Sequence, residues 1–154
     1  MKNKNFKKAY TLIEMLMVVA IIGILASSIL VGLGSARSKA RDSRRISDLK
    51  NVQTALELYY SKYGSYPGGD QNWSWSDLVN IITSEETGLN ITKLPKDPLN
   101  NEKYQYLYGS DGQSYILGVK LETKDAALDD DLDGMRFNIN CGEEVGDVIY
   151  CVSL

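Results

Sequence analysis

The fold is decided by one stretch, Lys7-Lys8-Ala9-Tyr10-Thr11-Leu12-Ile13-Glu14, which runs directly into the apolar residues 15–33. As a helix, the 19 residues of this apolar run span about 28 Å, close to the roughly 30 Å thickness of a bilayer's hydrocarbon core. A charged side chain inside a bilayer costs about 2.5–3.5 kcal/mol, so the carboxylate of Glu14 is expected to have a function there. The stretch therefore predicts a membrane-spanning helix with one functional carboxylate near its start.

Two simpler interpretations of this segment stay open. A secretory signal peptide needs a shorter apolar region and a small-residue cleavage site, for which residues 34–36 (Gly-Ser-Ala) are a candidate. A plain single-span anchor accounts for the length of the apolar run. Neither interpretation explains residues 10–14.

Residues 9–14, Ala-Tyr-Thr-Leu-Ile-Glu, follow a lysine-rich leader and resemble the cleavage and methylation signal of type IV pilins and type II secretion pseudopilins. In that family a leader peptidase cuts just before an aromatic residue followed by Thr-Leu-Ile-Glu. The resemblance implies cleavage between Ala9 and Tyr10, methylation of the Tyr10 amine, and pairing of Glu14 with the amine of a neighbouring subunit. An amine and a carboxylate that both leave water neutralise each other across that contact, which favours assembly. The family usually has Gly before the cut and Phe after it, so we expect slower processing here.

The same resemblance implies a function and a location. The chain is expected to be a structural filament subunit, a pilin or pseudopilin of a type IV pilus or a type II secretion system, assembled as a homo-oligomeric helical filament. Its implied partners are the prepilin peptidase and the inner-membrane assembly platform. Because that peptidase works at the cytoplasmic face, the chain should be a single-pass protein of the bacterial inner membrane with its C-terminal domain outside. Charge counting does not decide the orientation, since basic residues flank the apolar run on both sides.

Composition narrows the function classes. With 154 residues the chain has room for one domain. It contains no His, and no nucleophile–base pair, phosphate loop or catalytic metal signature appears, so we predict that it is not an enzyme. Without the four lysines of the leader, 13 basic residues face 20 acidic ones, and the formal charge becomes −7 instead of −3. An acidic mature protein is not expected to bind nucleic acid through contacts with the nucleic-acid phosphates.

Helical periodicity continues beyond the membrane segment. An apolar stripe at three- and four-residue steps predicts a helix over residues 36–63, with Gly64 and Pro67 as stop signals. Together with the membrane segment, this makes one helix from residue 10 to residue 63. The stripe consists of Ile46, Leu49, Val52, Leu56, Tyr63 and either Tyr59 or Tyr60.

Two tryptophans follow the helix. Trp73 and Trp75 are expected to cover the edge of the core, and glycan binding by an exposed pair is the alternative. A short helix is predicted over residues 77–82, with Ser76 or Asp77 near its N-cap.

The last part of the chain has strand patterns. Residues 104–108 and 114–121 are typical of a hairpin around Asp111-Gly112, and strand propensity returns at residues 148–152. The predicted fold class is therefore α+β and pilin-like, with the long helix packed on an antiparallel sheet of three or four strands. The expected organisation is a leader (1–9), a transmembrane and polymerisation helix (10–35) and a globular domain (36–154).

Two further stretches extend the resemblance. Leu94-Pro95-Lys96-Asp97-Pro98-Leu99-Asn100, followed by Tyr104-Gln105-Tyr106, is similar to the Pro-x-Asp-Pro segment and Tyr-rich strand of major pseudopilins, as is Tyr63-Gly64-Ser65-Tyr66-Pro67. The two prolines fix an extended turn in which Asp97 can accept backbone N–H bonds.

Five basic residues lie within nine positions after the apolar run. We expect them to form a solvated face or salt bridges between subunits, and binding to anionic lipid or DNA is the alternative. They are Arg37, Lys39, Arg41, Arg44 and Arg45.

Cys141 and Cys151 lie near the C-terminus with nine residues between them. In an exported protein such a pair predicts a disulfide, worth about 2–3 kcal/mol by loop closure. Two free thiols in a reducing compartment are the alternative.

An acidic loop is the one constellation that suggests an ion. Asp129, Asp131 and Asp133 alternate and Gly134 follows, as in the first half of a calcium loop. The twelfth position is Asn140 rather than Glu, so the pattern is incomplete, and Asn140, Glu122 or Asp125 would have to complete the oxygen shell. Major pseudopilins have a calcium-held loop near the C-terminus, so the resemblance favours structural Ca2+. A solvated mobile loop is the alternative.

Two functions therefore compete. The first is the filament subunit, with pilus and secretion system not separated by the residues. The second is a monomeric membrane-anchored or secreted module that binds a ligand through its Trp and Tyr side chains, which predicts indifference to Glu14.

Overall fold

The computed structural model describes residues 10–69, 74–124, 126–129, 131–142 and 148–154, and for residues 29–32 the backbone alone. The chain divides into two compact units, one that ends at Arg37 and one that covers residues 38–154. A long helix and a small antiparallel sheet confirm the predicted α+β, pilin-like fold. The order is α1 (Leu12–Tyr63), α2 (Trp75–Ile82), β1 (Tyr106–Ser110), β2 (Tyr115–Leu121), β3 (Met135–Arg136), β4 (Ile139–Asn140) and β5 (Val148–Ser153), with 3-10 turns at Glu85–Thr87 and Ala126–Leu128.

The first part of α1 is an apolar helix with exposed side chains. Its most apolar window has a mean hydropathy of 2.7, and none of that window is buried in the chain. By length and composition, this is the one helix among the described residues that can cross a membrane. An apolar surface of this extent is typical of a membrane or subunit contact.

The last part of α1 packs on the sheet through most of the predicted stripe, although Tyr63 at its end is 44% exposed. Leu49, Val52 and Leu56 are fully buried at helical spacing and contact side chains of the sheet in one cluster. The helix ends at Tyr63 as predicted, because Gly64 takes φ +72° and its amide donates to the carbonyl of Tyr60 at 2.7 Å.

The second helix begins earlier than predicted. Ser74, not Ser76 or Asp77, is the N-cap of α2, and its hydroxyl accepts the amide of Asp77 while the Asp77 carboxylate accepts the amide of Ser74. This reciprocal capping box fixes the start of the helix. Trp75 then packs on Tyr106 with 5.0 Å between ring centroids, as expected for a residue at the edge of the core. Trp73 lies outside the described residues.

The main sheet has three strands in the order β1-β2-β5, all antiparallel. β3 and β4 form a separate two-stranded hairpin. β1 begins at Tyr106 and not at residue 104, because the side-chain oxygen of Asn101 accepts the amides of Lys103 and Tyr104 and holds those residues in a turn.

Both faces of β2 are covered, by different layers. Leu117, Val119 and Leu121 join the cluster with α1 and α2, while Ile116 points into a smaller cluster with Ile139 and the two cysteines. This alternation is the period of two of a strand. The central strand therefore connects the helical layer on one side to the β3–β4 hairpin on the other.

Candidate assembly site

Glu14 lies in the first turn of α1, and Thr11 holds its carboxylate. The amide and the hydroxyl of Thr11 both donate to Oε2 of Glu14, each at 2.8 Å, and the amide of Glu14 donates to the Thr11 hydroxyl at 3.3 Å. This is the reciprocal pattern of a capping box, in which a Thr and an acid three residues later satisfy each other's amides. The carboxylate also lies at the positive end of the helix dipole.

This arrangement leaves part of the carboxylate available. Both bonds from Thr11 go to Oε2, and among the described residues no bond to Oε1 is found. An ammonium group from another chain can therefore bind Oε1 without displacing Thr11. Tyr10, the expected new N-terminus, is 78% exposed, and Ala9 lies outside the described residues.

A second charged group, here called the Arg45 cluster, lies inside the C-terminal unit. It consists of Arg41, Asp42, Arg45, Asp97 and Glu122. The guanidinium of Arg45 has no exposed surface and donates to Asp97 at 2.6 and 3.1 Å, to Asp42 at 2.8 Å and to Glu122 at 2.7 Å. A buried cation is tolerated only when carboxylates satisfy its donors in this way.

The remaining contacts tie the Arg45 cluster to the end of β2. Arg41 binds both carboxylate oxygens of Glu122. The carboxylate of Asp42 accepts the amides of Glu122 and Thr123, each at 2.9 Å. The cluster therefore joins α1 to the backbone that follows the central strand.

These contacts lower the pKa of two carboxyl groups. Hydrogen bonds from Arg41 are the main reason that the pKa of Glu122 falls to about 2, with Arg45 adding to the effect. Burial raises the pKa of Asp97, but hydrogen bonds from Arg45 and from two backbone amides outweigh it and hold that pKa below its usual value. Both groups therefore stay ionised at neutral pH.

The Arg45 cluster corrects two predictions. Arg45 is fully buried and is therefore neither a solvated residue nor available to other subunits. Arg41 is partly exposed, but its guanidinium is bound by Glu122 of the same chain. Glu122 is not a candidate calcium ligand, since its two oxygens accept from these arginines. The sequence did not predict the cluster. Its one signal was that Asp42 and Arg45 precede Leu49 at helical spacing and so lie on the same buried face of α1.

The Pro-Asp-Pro segment is fixed as predicted. Oδ1 of Asp97 accepts the amides of Leu99 at 2.8 Å and Asn100 at 3.2 Å. The same carboxylate binds Arg45, so the turn and the helix are held by one side chain.

The acidic loop does not assemble a metal site from the described residues. Among them, no three His, Cys, Asp or Glu side chains are grouped to hold an ion. Asp131 accepts the amide of Cys151 at 3.0 Å, and the side-chain oxygen of Asn140 accepts the amide of Gly142 at 3.0 Å. Asp129 and Asp133 are exposed, and Asp125 lies outside the described residues.

The predicted disulfide between Cys141 and Cys151 is present, with 5.8 Å between the Cα atoms. Cys151 lies in the middle of β5 and is fully buried, while Cys141 follows β4 directly. The bond therefore links the β3–β4 hairpin to the main sheet.

Comparison with known proteins gives two family matches. Residues 4–30 match the prokaryotic N-terminal methylation motif, and residues 33–130 match the family described as type II secretion system (T2SS), protein G. The type II secretion system core protein G of Vibrio cholerae is 35% identical over 116 residues, which cover 72% of this chain and 77% of that protein. Those of Aeromonas hydrophila and Pseudomonas aeruginosa are each 31% identical, covering 84% and 82% of this chain and 92% of each relative. No solved structure matches the chain.

Proposed function

Because the chain belongs to the type II secretion system protein G family, whose members are major pseudopilins, we propose that it forms the main body of a secretion pseudopilus. Membership confirms the predictions of a pilin-class filament subunit and of a protein that is not an enzyme. The observation that carries the proposal is the protein G match over residues 33–130 directly after the methylation motif. A monomeric ligand-binding module would need neither the methylation motif nor the protein G domain.

The decisive experiment separates secretion from surface pili. A strain lacking this gene should retain its type II substrates inside the cell, and the wild-type gene should restore their release. Loss of surface filaments with secretion unchanged would overturn the proposal in favour of a type IV pilus.

Processing is the first step of the proposed assembly. The peptidase cuts between Ala9 and Tyr10 at the cytoplasmic face, and the new amine is methylated. Because the helix that follows crosses the membrane once, the C-terminal domain lies outside. Intact mass and N-terminal sequencing of protein from its native membrane should show a chain that starts at Tyr10 with one added methyl. A chain that starts at Met1 would contradict this step.

Glu14 then pairs with the Tyr10 amine of a neighbouring subunit at the assembly platform. The geometry in support is the Thr11 capping box, which binds Oε2 of Glu14. Glu14→Ala should abolish cross-linking between subunits while the C-terminal unit keeps its unfolding transition. Ser27→Ala is a matched control, because that hydroxyl donates to the carbonyl of Ile24 in its own helix. Equal cross-linking in both variants would contradict the role of Glu14.

Structural Ca2+ in the acidic loop is a separate proposal. Its support is the alternation of Asp129, Asp131 and Asp133 before Gly134, which takes φ +97°. Millimolar Ca2+ should raise the melting temperature of the wild-type chain, and Asp129→Asn with Asp133→Asn should remove that increase. No change in melting temperature between saturating Ca2+ and chelator would refute it.

A further inference from the structure

The main sheet has two edges, and they differ. At the β5 edge, Cys151 donates its amide to Asp131 at 3.0 Å, and its carbonyl accepts the amide of Leu132 at 3.4 Å. At the other edge, Tyr106–Ser110 pairs with β2 alone, and among the described residues no backbone bond to the outer side of this strand is found. A strand edge with unpaired amides and carbonyls is a template for a further strand.

A groove of about 680 Å³ opens along this edge. Both Tyr106 and Leu107 line it, although successive side chains of a strand point to opposite faces. The groove must therefore straddle the edge and not lie over one face. Its volume is within the roughly 300–1,000 Å³ of ligand sites.

The groove has two fixed walls. Trp75 and Val79 of α2 form one wall, and the Trp75 ring is held 5.0 Å from the ring of Tyr106. Phe137 and Ile139 form the other wall, and Phe137 lies directly on Gly109, where a Cβ would come within 2.5 Å of it. Walls that are already in place lower the entropy lost when a ligand binds.

Two charged side chains line the groove, Lys96 and Asp97. Lys96 is exposed, whereas the carboxylate of Asp97 is bound to Arg45 and to backbone amides. An acidic group of a ligand is therefore favoured beside Lys96.

We propose that the groove binds an extended segment of a partner protein, which adds to β1 as a strand. The segment pairs its backbone with the free edge, places apolar side chains between the two walls, and directs a carboxylate at Lys96. An unpaired strand edge requires an extended main chain, and the length of β1 admits about five residues, or 17 Å of strand. This goes beyond filament assembly through α1, because it gives the C-terminal unit a partner of its own.

The test uses the full processed chain in detergent micelles and a labelled probe peptide, acetyl-Val-Thr-Val-Thr-Val-Glu-amide. Fluorescence anisotropy should show saturable binding, and the same peptide with N-methylated alternate amides should bind at least tenfold more weakly. Lys96→Glu should weaken binding of the probe about tenfold, and Lys93→Glu, an exposed lysine outside the groove, should not. Asn80→Trp, which places an indole in the groove, should block binding.

Three outcomes would overturn the proposal. One is the absence of binding at millimolar peptide, and another is equal binding of the methylated peptide. The third is a change of self-association in Lys96→Glu without a change in peptide binding, which would make the occupant a second copy of the chain. Far-UV circular dichroism of each variant establishes that a loss of binding is not a loss of fold.

Discussion

Replacing Arg45 by methionine should remove a large share of the stability of the C-terminal unit. Methionine keeps much of the buried volume but removes four hydrogen bonds to Asp97, Asp42 and Glu122. Because the carboxylates of Asp42 and Asp97 remain buried, the loss should cost about 3–5 kcal/mol. The total stability of such a domain is about 5–15 kcal/mol, and with a slope near 2 kcal/mol per M the urea midpoint should fall by about 2 M.

The assay is urea unfolding of the full chain in detergent, followed by tryptophan fluorescence, to which Trp75 contributes through its contact with Tyr106. Arg44→Met is the matched control, since that side chain is 63% exposed and lies 3.6 Å from its acidic neighbour. An ion pair whose cation is in solvent contributes at most about 1 kcal/mol. Adding Asp97→Asn to Arg45→Met should recover part of the loss, because one uncompensated charge disappears. If Arg45→Met is as stable as Arg44→Met, the buried pairing is not what holds the helix to the sheet.

Three further predictions concern the C-terminal unit. The pKa of Glu122 is lowered from 4.5 to about 2, so the stability that its ionised carboxylate contributes is present above pH 4.5 and is lost as the pH falls towards 2. The stability of Glu122→Gln, measured by the same urea assay, should therefore fall less between pH 5 and pH 2 than that of the wild type. Gly109→Ala should lower the urea midpoint, because the new Cβ would lie 2.5 Å from the Cβ of Phe137. Adding Phe137→Gly should restore the midpoint, since glycine removes that atom and tolerates the φ of +47°. A double variant no more stable than Gly109→Ala would contradict the contact. Ser74→Ala should cost about 1 kcal/mol as a lost N-cap, and Ser76→Ala less, which a melting curve of each variant checks.

Local patterns predicted much of the fold. The stripe of Leu49, Val52 and Leu56 predicted the packed face of α1, and Gly64 predicted its end, because helix periodicity and termination depend on neighbouring residues. The turn at Asp97 was predictable for the same reason. These are the parts of the chain in which each residue's partner is a few positions away.

The Arg45 cluster could not be predicted, because its partners are distant in sequence. Asp97 is 52 positions from Arg45, and Glu122 is 77 positions from it. Five basic residues in nine positions are typical of a solvated surface, and only the folded structure shows that Arg45 is buried and that Arg41 binds a carboxylate of the same chain. The β3–β4 turn was missed for a different reason. Its central residues, Phe137 and Asn138, both take positive φ, and a bulky aromatic residue is not expected there.

The start of α2 shows how competing local signals mislead. Ser74, Ser76 and Asp77 are all good N-cap residues, and three candidates lie within four positions. Only Ser74 is followed three residues later by an acid, and the carboxylate of that acid accepts the Ser74 amide. This reciprocal pair of hydrogen bonds decides where the helix begins.

The disulfide joins the two places at which the acidic loop is attached to the rest of the C-terminal unit. Cys151 holds Asp131 and Leu132 through its backbone, and the amide of Cys141 donates to the carbonyl of Gly134 at 2.8 Å. Both anchors of this loop are thus the two residues that the bond joins. Without the disulfide, the two anchors are held near each other only by non-covalent packing, in which Ile139 of the hairpin contacts Ile116 of β2. The disulfide joins them covalently, so the two attachment points of the loop stay together even when that packing opens.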